Sequence, residues 1–226
     1  MHVDVIIPTW NRIDLLRNAV DSITASSYKD VSVFIIVDGN KKVFETVSTW
    51  PNKNVCIFFN EKNIDWIRSI NKGLRHATDA AIYAGDDITF DQDCIEKAVA
   101  LLKQKSPAGD ALIGLRQKKM GSPTCFGLIG RKFITHFPGN QVFCPDYIHY
   151  GGDSEIARYV KKVGKFYHSP TVGVTHHRGP TDETYRLTIA KKTGTKDNYY
   201  FKKRRALGLT WGISFRLINE GREGNA

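Results

Sequence analysis

Near-continuous apolar runs alternate with amphipathic stretches through the first half of the chain. Val3–Ile7 is rich in β-branched residues and is closed by Pro8, which cannot donate to a ladder. Asn11 can then cap a helix whose apolar residues Leu15, Leu16, Ala19, Val20 and Ile23 recur at three- and four-residue spacing. Val31–Val37 repeats the buried-strand pattern and stops at Asp38-Gly39-Asn40. A short helix over Lys42–Ser48 and a strand over Val55–Phe59 follow. Ile64–Ala77 reads as another amphipathic helix, with Ile67, Ile70 and Leu74 on one face. A fourth apolar run ends on Gly85-Asp86-Asp87. Strands alternating with helices predict an α/β fold built on a mostly parallel sheet with right-handed crossovers.

The second half is less regular. Asp91–Lys105 has helical periodicity and Ala111–Leu115 reads as a strand. Cys125–Arg131 is glycine-rich but lacks a full G-x-G-x-x-G, so it reads as a strand with small residues near the cleft. Asp153 opens a helix carrying Ile156, Tyr159, Val160 and Val163, and the run from Val172 reads as a strand ending in His176-His177-Arg178. The C-terminal stretch 186–226 holds ten Lys or Arg against three Asp or Glu. In it Lys202-Lys203-Arg204-Arg205 precedes alternating apolar residues from Leu207 to Leu217, which suits a solvated basic turn plus a strand or packed tail. It equally suits a docking surface for an anionic partner, a membrane leaflet or nucleic acid.

Composition narrows the class. A chain of 226 residues fits one α/β domain, and a net charge of +10 favours an anionic ligand or surface. The four cysteines form no C-x-x-C pair, which points to reduced thiols in a cytoplasmic protein rather than a zinc or redox motif. The N-terminus lacks the features of a signal peptide, and no stretch approaches the ~18 apolar residues of a membrane span.

Candidate chemistry gathers at strand ends. Pro8-Thr9-Trp10-Asn11-Arg12, Asp38-Gly39-Asn40 and Gly85-Asp86-Asp87 all follow the C-terminal ends of predicted strands, where open α/β sheets bind ligands, so they are expected to converge on one crevice. Continuing the strand would send Asp86 and Asp87 to opposite faces and so to different tasks. Each feature also has a purely local reading: Asp86-Asp87 as a turn before the next helix, Asp38 as a turn residue before glycine, Asp153 as a helix cap, and Arg12 and Arg68 as solvated helix residues.

"VDVIIPTWNR", "VFIIVDGN", "NIDWIRSINKGLRHA" and "AAIYAGDDITF" together resemble the inverting nucleotide-sugar glycosyltransferases of family 2, with the GT-A fold. The resemblance implies a nucleotide-sugar pocket lined by Pro8, Thr9, Asn11, Arg12 and Asp38, with Arg68, Asn71 and Asp86 as further donor-binding groups. It assigns Asp87 to a divalent cation, Mn²⁺ or Mg²⁺, and adds a histidine, His176 in preference to His177. It implies Asp153 as general base, because the family's G-E-D-x-E keeps its Asp and last Glu here as Asp153 and Glu155, with Gly152 in place of the first Glu. Glu155, Arg178 and Arg204 are weaker candidates, Arg204 as a basic group closing over the diphosphate. The sequence departs from the family where a D-x-D triplet is usual: Gly85 stands in place of its first carboxylate.

The expected organisation is a GT-A domain over 1–185, with a nucleotide-sugar half (1–90) and a smaller acceptor half (91–185), then a basic extension over 186–226. The expected activity is metal-dependent inverting transfer from a UDP- or dTDP-sugar to a hydroxyl of a glycan or glycolipid by a phage or bacterial enzyme, cytoplasmic or peripheral at the inner membrane face. Transfer to a modified DNA base and non-catalytic nucleotide-sugar binding are the alternatives. A nucleotidyltransferase fits less well, because the loop after the first strand has no glycine.

Overall fold

A computed structural model describes residues 1–50, 53–118, 124–177 and 182–213. The first half alternates as the hydrophobic pattern requires: β1 (Val3–Thr9), α1 (Ile13–Thr24), β2 (Val31–Asp38), α2 (Lys41–Val47), β3 (Val55–Asn60), α3 (Asp65–Leu74) and β4 (Ala80–Tyr83). The second half comprises β5 (Ile88–Phe90), α4 (Cys94–Lys105), β6 (Leu112–Gln117), β7 (Gly127–Gly130), α5 (Arg131–Ile134), α6 (Gly152–Val163), β8 (Phe166–His176), α7 (Glu183–Ala190) and α8 (Thr193–Ala206). The strands form one sheet in the order β3-β2-β1-β4-β7-β6-β8-β5.

From β3 to β4 every pairing is parallel. Beyond β4 the sheet is mixed: β7 enters antiparallel to β4 and β6, β8 runs parallel to β6, and β5 is antiparallel to β8. Parallel strands buried on both faces carry continuous apolar sequence. In β1, Val3, Val5 and Ile7 pack towards α1 and α4, whereas Ile6 packs on the other face with Ile67 and Ile70 of α3. Glycine in β7 answers to close approach: a Cβ on Gly130 would lie 2.1 Å from the Gly109 carbonyl oxygen.

Two local expectations are corrected. Asn11 does not cap α1; Arg12 holds the N-cap position, and the Asn11 amide instead donates to Glu183 Oε2 at 2.9 Å and accepts from the Thr184 hydroxyl. The basic stretch through Arg205 is helix α8, neither a turn nor a strand. Helix α7 also runs straight through the expected boundary at 185/186. Residues 214–226, with the later part of the alternating apolar run, lie outside the described residues. No helix among the described residues is long and apolar enough to cross a membrane.

Candidate active site

The C-terminal ends of β1, β2 and β4 open onto a crevice of about 600 Å³ lined by Thr9, Arg12, Asp38, Asp86, Asp87 and, from the second half, Asp153. This is the position that a parallel sheet leaves free of crossing helices. Pro8 and His176 line it too.

Asp38 ends β2 and is 4% exposed. Its Oδ1 accepts from Asn60 Nδ2 and from the Ile64 backbone N–H, each at 2.9 Å, so the carboxylate is held in one orientation. Asn63, Asp65 and Trp66 continue the wall beside it. Asp65 has φ 70, a left-handed conformation uncommon for a residue with a Cβ. Burial raises its carboxyl above the usual range, Lys191 opposing and Asp38 adding to the effect.

Strand β4 stops at Tyr83, so the alternation expected for Asp86 and Asp87 does not apply. Both carboxylates lie in the following turn and meet the same Arg12 Nη1, Asp86 Oδ1 at 3.2 Å and Asp87 Oδ2 at 3.0 Å. They nevertheless differ. Asp86 is 7% exposed and accepts from the Thr9 hydroxyl at 2.9 Å; burial, then the neighbouring Asp87 charge, push its carboxyl up. Asp87 Oδ1 faces His176 Nε2 at 3.3 Å. Burial opposes ionisation there too, but the His176 hydrogen bond and charge, with Arg12, hold the Asp87 carboxyl below its ordinary value. Gly85 leaves the space into which Asp87 folds, since a Cβ there would lie 2.8 Å from Asp87 Oδ1.

A cation fits this donor set. A carboxylate oxygen and an imidazole nitrogen, Asp87 Oδ1 and His176 Nε2, stand side by side in the crevice wall, and both are donor types that Mn²⁺ or Mg²⁺ would take. Among the described residues no group of three His, Cys, Asp or Glu gathers to hold a metal.

Asp153 is the second residue of α6, after an N-cap Gly151 with φ 83 and Gly152. Its Oδ1 accepts from the Ser154 backbone N–H at 2.8 Å, and the helix N-terminus stabilises its anion. The preceding loop is fixed from a distance. Asp197 of α8, buried, accepts from the backbone N–H groups of Ile148, His149 and Tyr150 at 2.9, 2.8 and 2.7 Å.

Several candidates stand outside the crevice lining. Asn71 is buried and grips the Phe143 backbone, donating to its carbonyl at 2.7 Å and accepting its N–H at 3.1 Å. Arg68 is exposed on α3. His177 shares a 2.9 Å hydrogen bond with the Thr89 hydroxyl. Glu155 and Arg204 take each other: Arg204 Nε and Nη2 donate to Glu155 Oε1 at 2.9 and 2.8 Å, locking α8 to α6. Asn11 serves as a tie to α7. Arg178 lies outside the described residues.

The structure brings in residues that carry no individual assignment in the sequence. His149 and Tyr150 line the crevice, as do Thr184, Tyr185 and Lys191 from α7 and just beyond it. Arg12 Nη2 pairs with Asp182 at 2.8 Å, which brings the start of α7 over the two acidic residues. Sequence spacing carried no signal for this contact, because its partners are 170 positions apart.

Residues 4–127 match the family model described as glycosyl transferase family 2. Among curated proteins, an uncharacterized glycosyltransferase of Rickettsia typhi is 34% identical over 74 residues, 33% of this chain and 23% of that protein. The uncharacterized glycosyltransferase YwdF of Bacillus subtilis is 26% identical over 98 residues, 43% of this chain and 37% of that protein. Among solved structures, S. aureus TarS in complex with UDP-GlcNAc is similar at a TM-score of 0.66 and 15% identity, covering 80% of this chain and 60% of that one. The matched regions span less than two thirds of each of these relatives. The likeness to TarS shows the GT-A fold.

Proposed function

Because the chain belongs to glycosyl transferase family 2, we propose that it moves a sugar from a UDP- or dTDP-type donor to an acceptor hydroxyl on a glycan or glycolipid, with inversion. The observation that carries this reading is that Asp38, Asp87 and Asp153, from three separate segments, line one crevice.

Asp38, oriented by Asn60 and the Ile64 N–H, suits the N3–H of a uracil or thymine ring. Arg12 supplies guanidinium donors for the diphosphate. Asp153 takes the proton of the acceptor hydroxyl; that oxygen bonds to the anomeric carbon opposite the diphosphate, and the bond to the diphosphate breaks with its electron pair leaving on oxygen. Asp87 and His176 are the residues that would hold Mn²⁺ or Mg²⁺, which when bound neutralises the charge developing on the leaving group.

The test begins with thermal shifts against UDP- and dTDP-sugars with and without Mn²⁺, since a specific ligand raises apparent stability by mass action. Asp153→Asn is expected to keep the donor-induced shift and lose turnover by about 10² to 10⁴-fold. Near-normal turnover removes Asp153 from the role. Cation-dependent donor hydrolysis without acceptor separates an enzyme from a non-catalytic binder.

A further inference from the structure

Helix α8 turns two different faces. Its inner side packs Thr193 and Asp197 into the body and gives Arg204 to Glu155. Its outer side exposes Lys196, Lys202, Lys203 and Arg205. The one acidic residue of the helix, Asp197, is buried, so the outer side carries no carboxylate. Tyr199, among these cations, and Leu207, just after them at the C-cap, are 67% and 64% exposed. Positions 196, 199, 203 and 207 follow three- and four-residue spacing and form one stripe. Large apolar side chains this exposed, set among cations, leave hydrophobic surface in water unless something covers it.

We propose that this face docks on an anionic lipid bilayer. Lysine heads are drawn to acidic headgroups, each strengthening attachment about fivefold, while a tyrosine ring and a leucine side chain settle into the boundary beneath them. Duplex nucleic acid would satisfy the lysines by phosphate contacts and leave Leu207 without a partner, so the combination favours lipid. Helix α8 starts at Thr193, which lines the crevice, so docking would bring the crevice rim to the membrane surface. The inference goes beyond the sugar-transfer reading and does not depend on it.

The full chain is sedimented with neutral phosphatidylcholine vesicles and with vesicles containing phosphatidylglycerol. Binding is expected only to the anionic vesicles and is expected to weaken with salt. The triple variant Lys196→Gln/Lys202→Gln/Lys203→Gln is expected to bind about 100-fold more weakly. Leu207→Ser is expected to bind less at every salt concentration, and both variants are expected to keep the unaltered melting temperature. Three results overturn the proposal: no attachment to anionic vesicles, attachment unchanged in the triple variant, or tighter binding to duplex DNA than to anionic vesicles. Vesicle binding without any donor-induced thermal shift would leave docking standing and remove the transferase reading.

Discussion

Arg12 reaches Asp182 at 2.8 Å and so joins the loop after the first strand to the beginning of a helix 170 positions later. Asp182 also caps that helix, accepting from the Tyr185 N–H at 2.7 Å. One carboxylate thus serves both helix α7 and the position of the guanidinium over Asp86 and Asp87.

Asp182→Ala removes the cap and the ion pair together. Loss of a cap costs about 1 kcal/mol, and a change of that size lowers the melting temperature by roughly 2 to 4 °C for a chain of this length. Donor-induced thermal shifts are expected to shrink as well. Asp182→Asn, which can still cap, is expected to recover the melting temperature but not the full donor response.

Glu155 is 2% exposed, so losing its partner leaves a buried charge. Arg204→Ala is expected to destabilise by about 3 to 5 kcal/mol, read from urea unfolding. Glu155→Gln combined with Arg204→Met is expected to be milder than Arg204→Ala alone, because neither partner then remains charged.

Asp87→Ala is expected to abolish the Mn²⁺-dependent part of donor binding, and a chelator is expected to reproduce the effect in the unaltered protein. His176→Ala is expected to fall between Asp87→Ala and the unaltered protein, since one ligand remains. Titration of UDP-sugar with and without the cation reads all three. Cation-independent donor binding at full strength would remove Asp87 and His176 from metal duty.

Burial depresses the His149 imidazole below its ordinary value, with Asp197 only partly offsetting it. The folded state therefore resists a proton that the unfolded chain accepts from about pH 6.5 downward. The stability His149 provides is present above that pH and is lost on acidification through it. His149→Gln is expected to flatten the decline in unfolding free energy between about pH 7 and about pH 5.

The alternation of buried strands and amphipathic helices made the first half of the fold legible, because fully buried parallel strands leave no ambiguity of face. The meeting of Asp38 and Asp87 was legible from the same logic, since both follow strands of one parallel sheet. Asn11 and Asn71 carried no such guide. Each bonds to a segment far along the chain, Asn11 to Glu183 and Asn71 to the Phe143 backbone, and no local periodicity encodes such a partner. The basic tail misled for a related reason: α8 takes its place from Glu155 and from the loop at 148–150, not from its own apolar pattern.

Asp197 extends that last point. One carboxylate satisfies three successive amides just ahead of the turn that presents Asp153. Without it those amides would be stranded, so helix α8 and the turn that carries Asp153 form a single cooperative folding unit. A chain cut before position 197 is expected to keep its strands and to lose the fixed course of the backbone at 148–150.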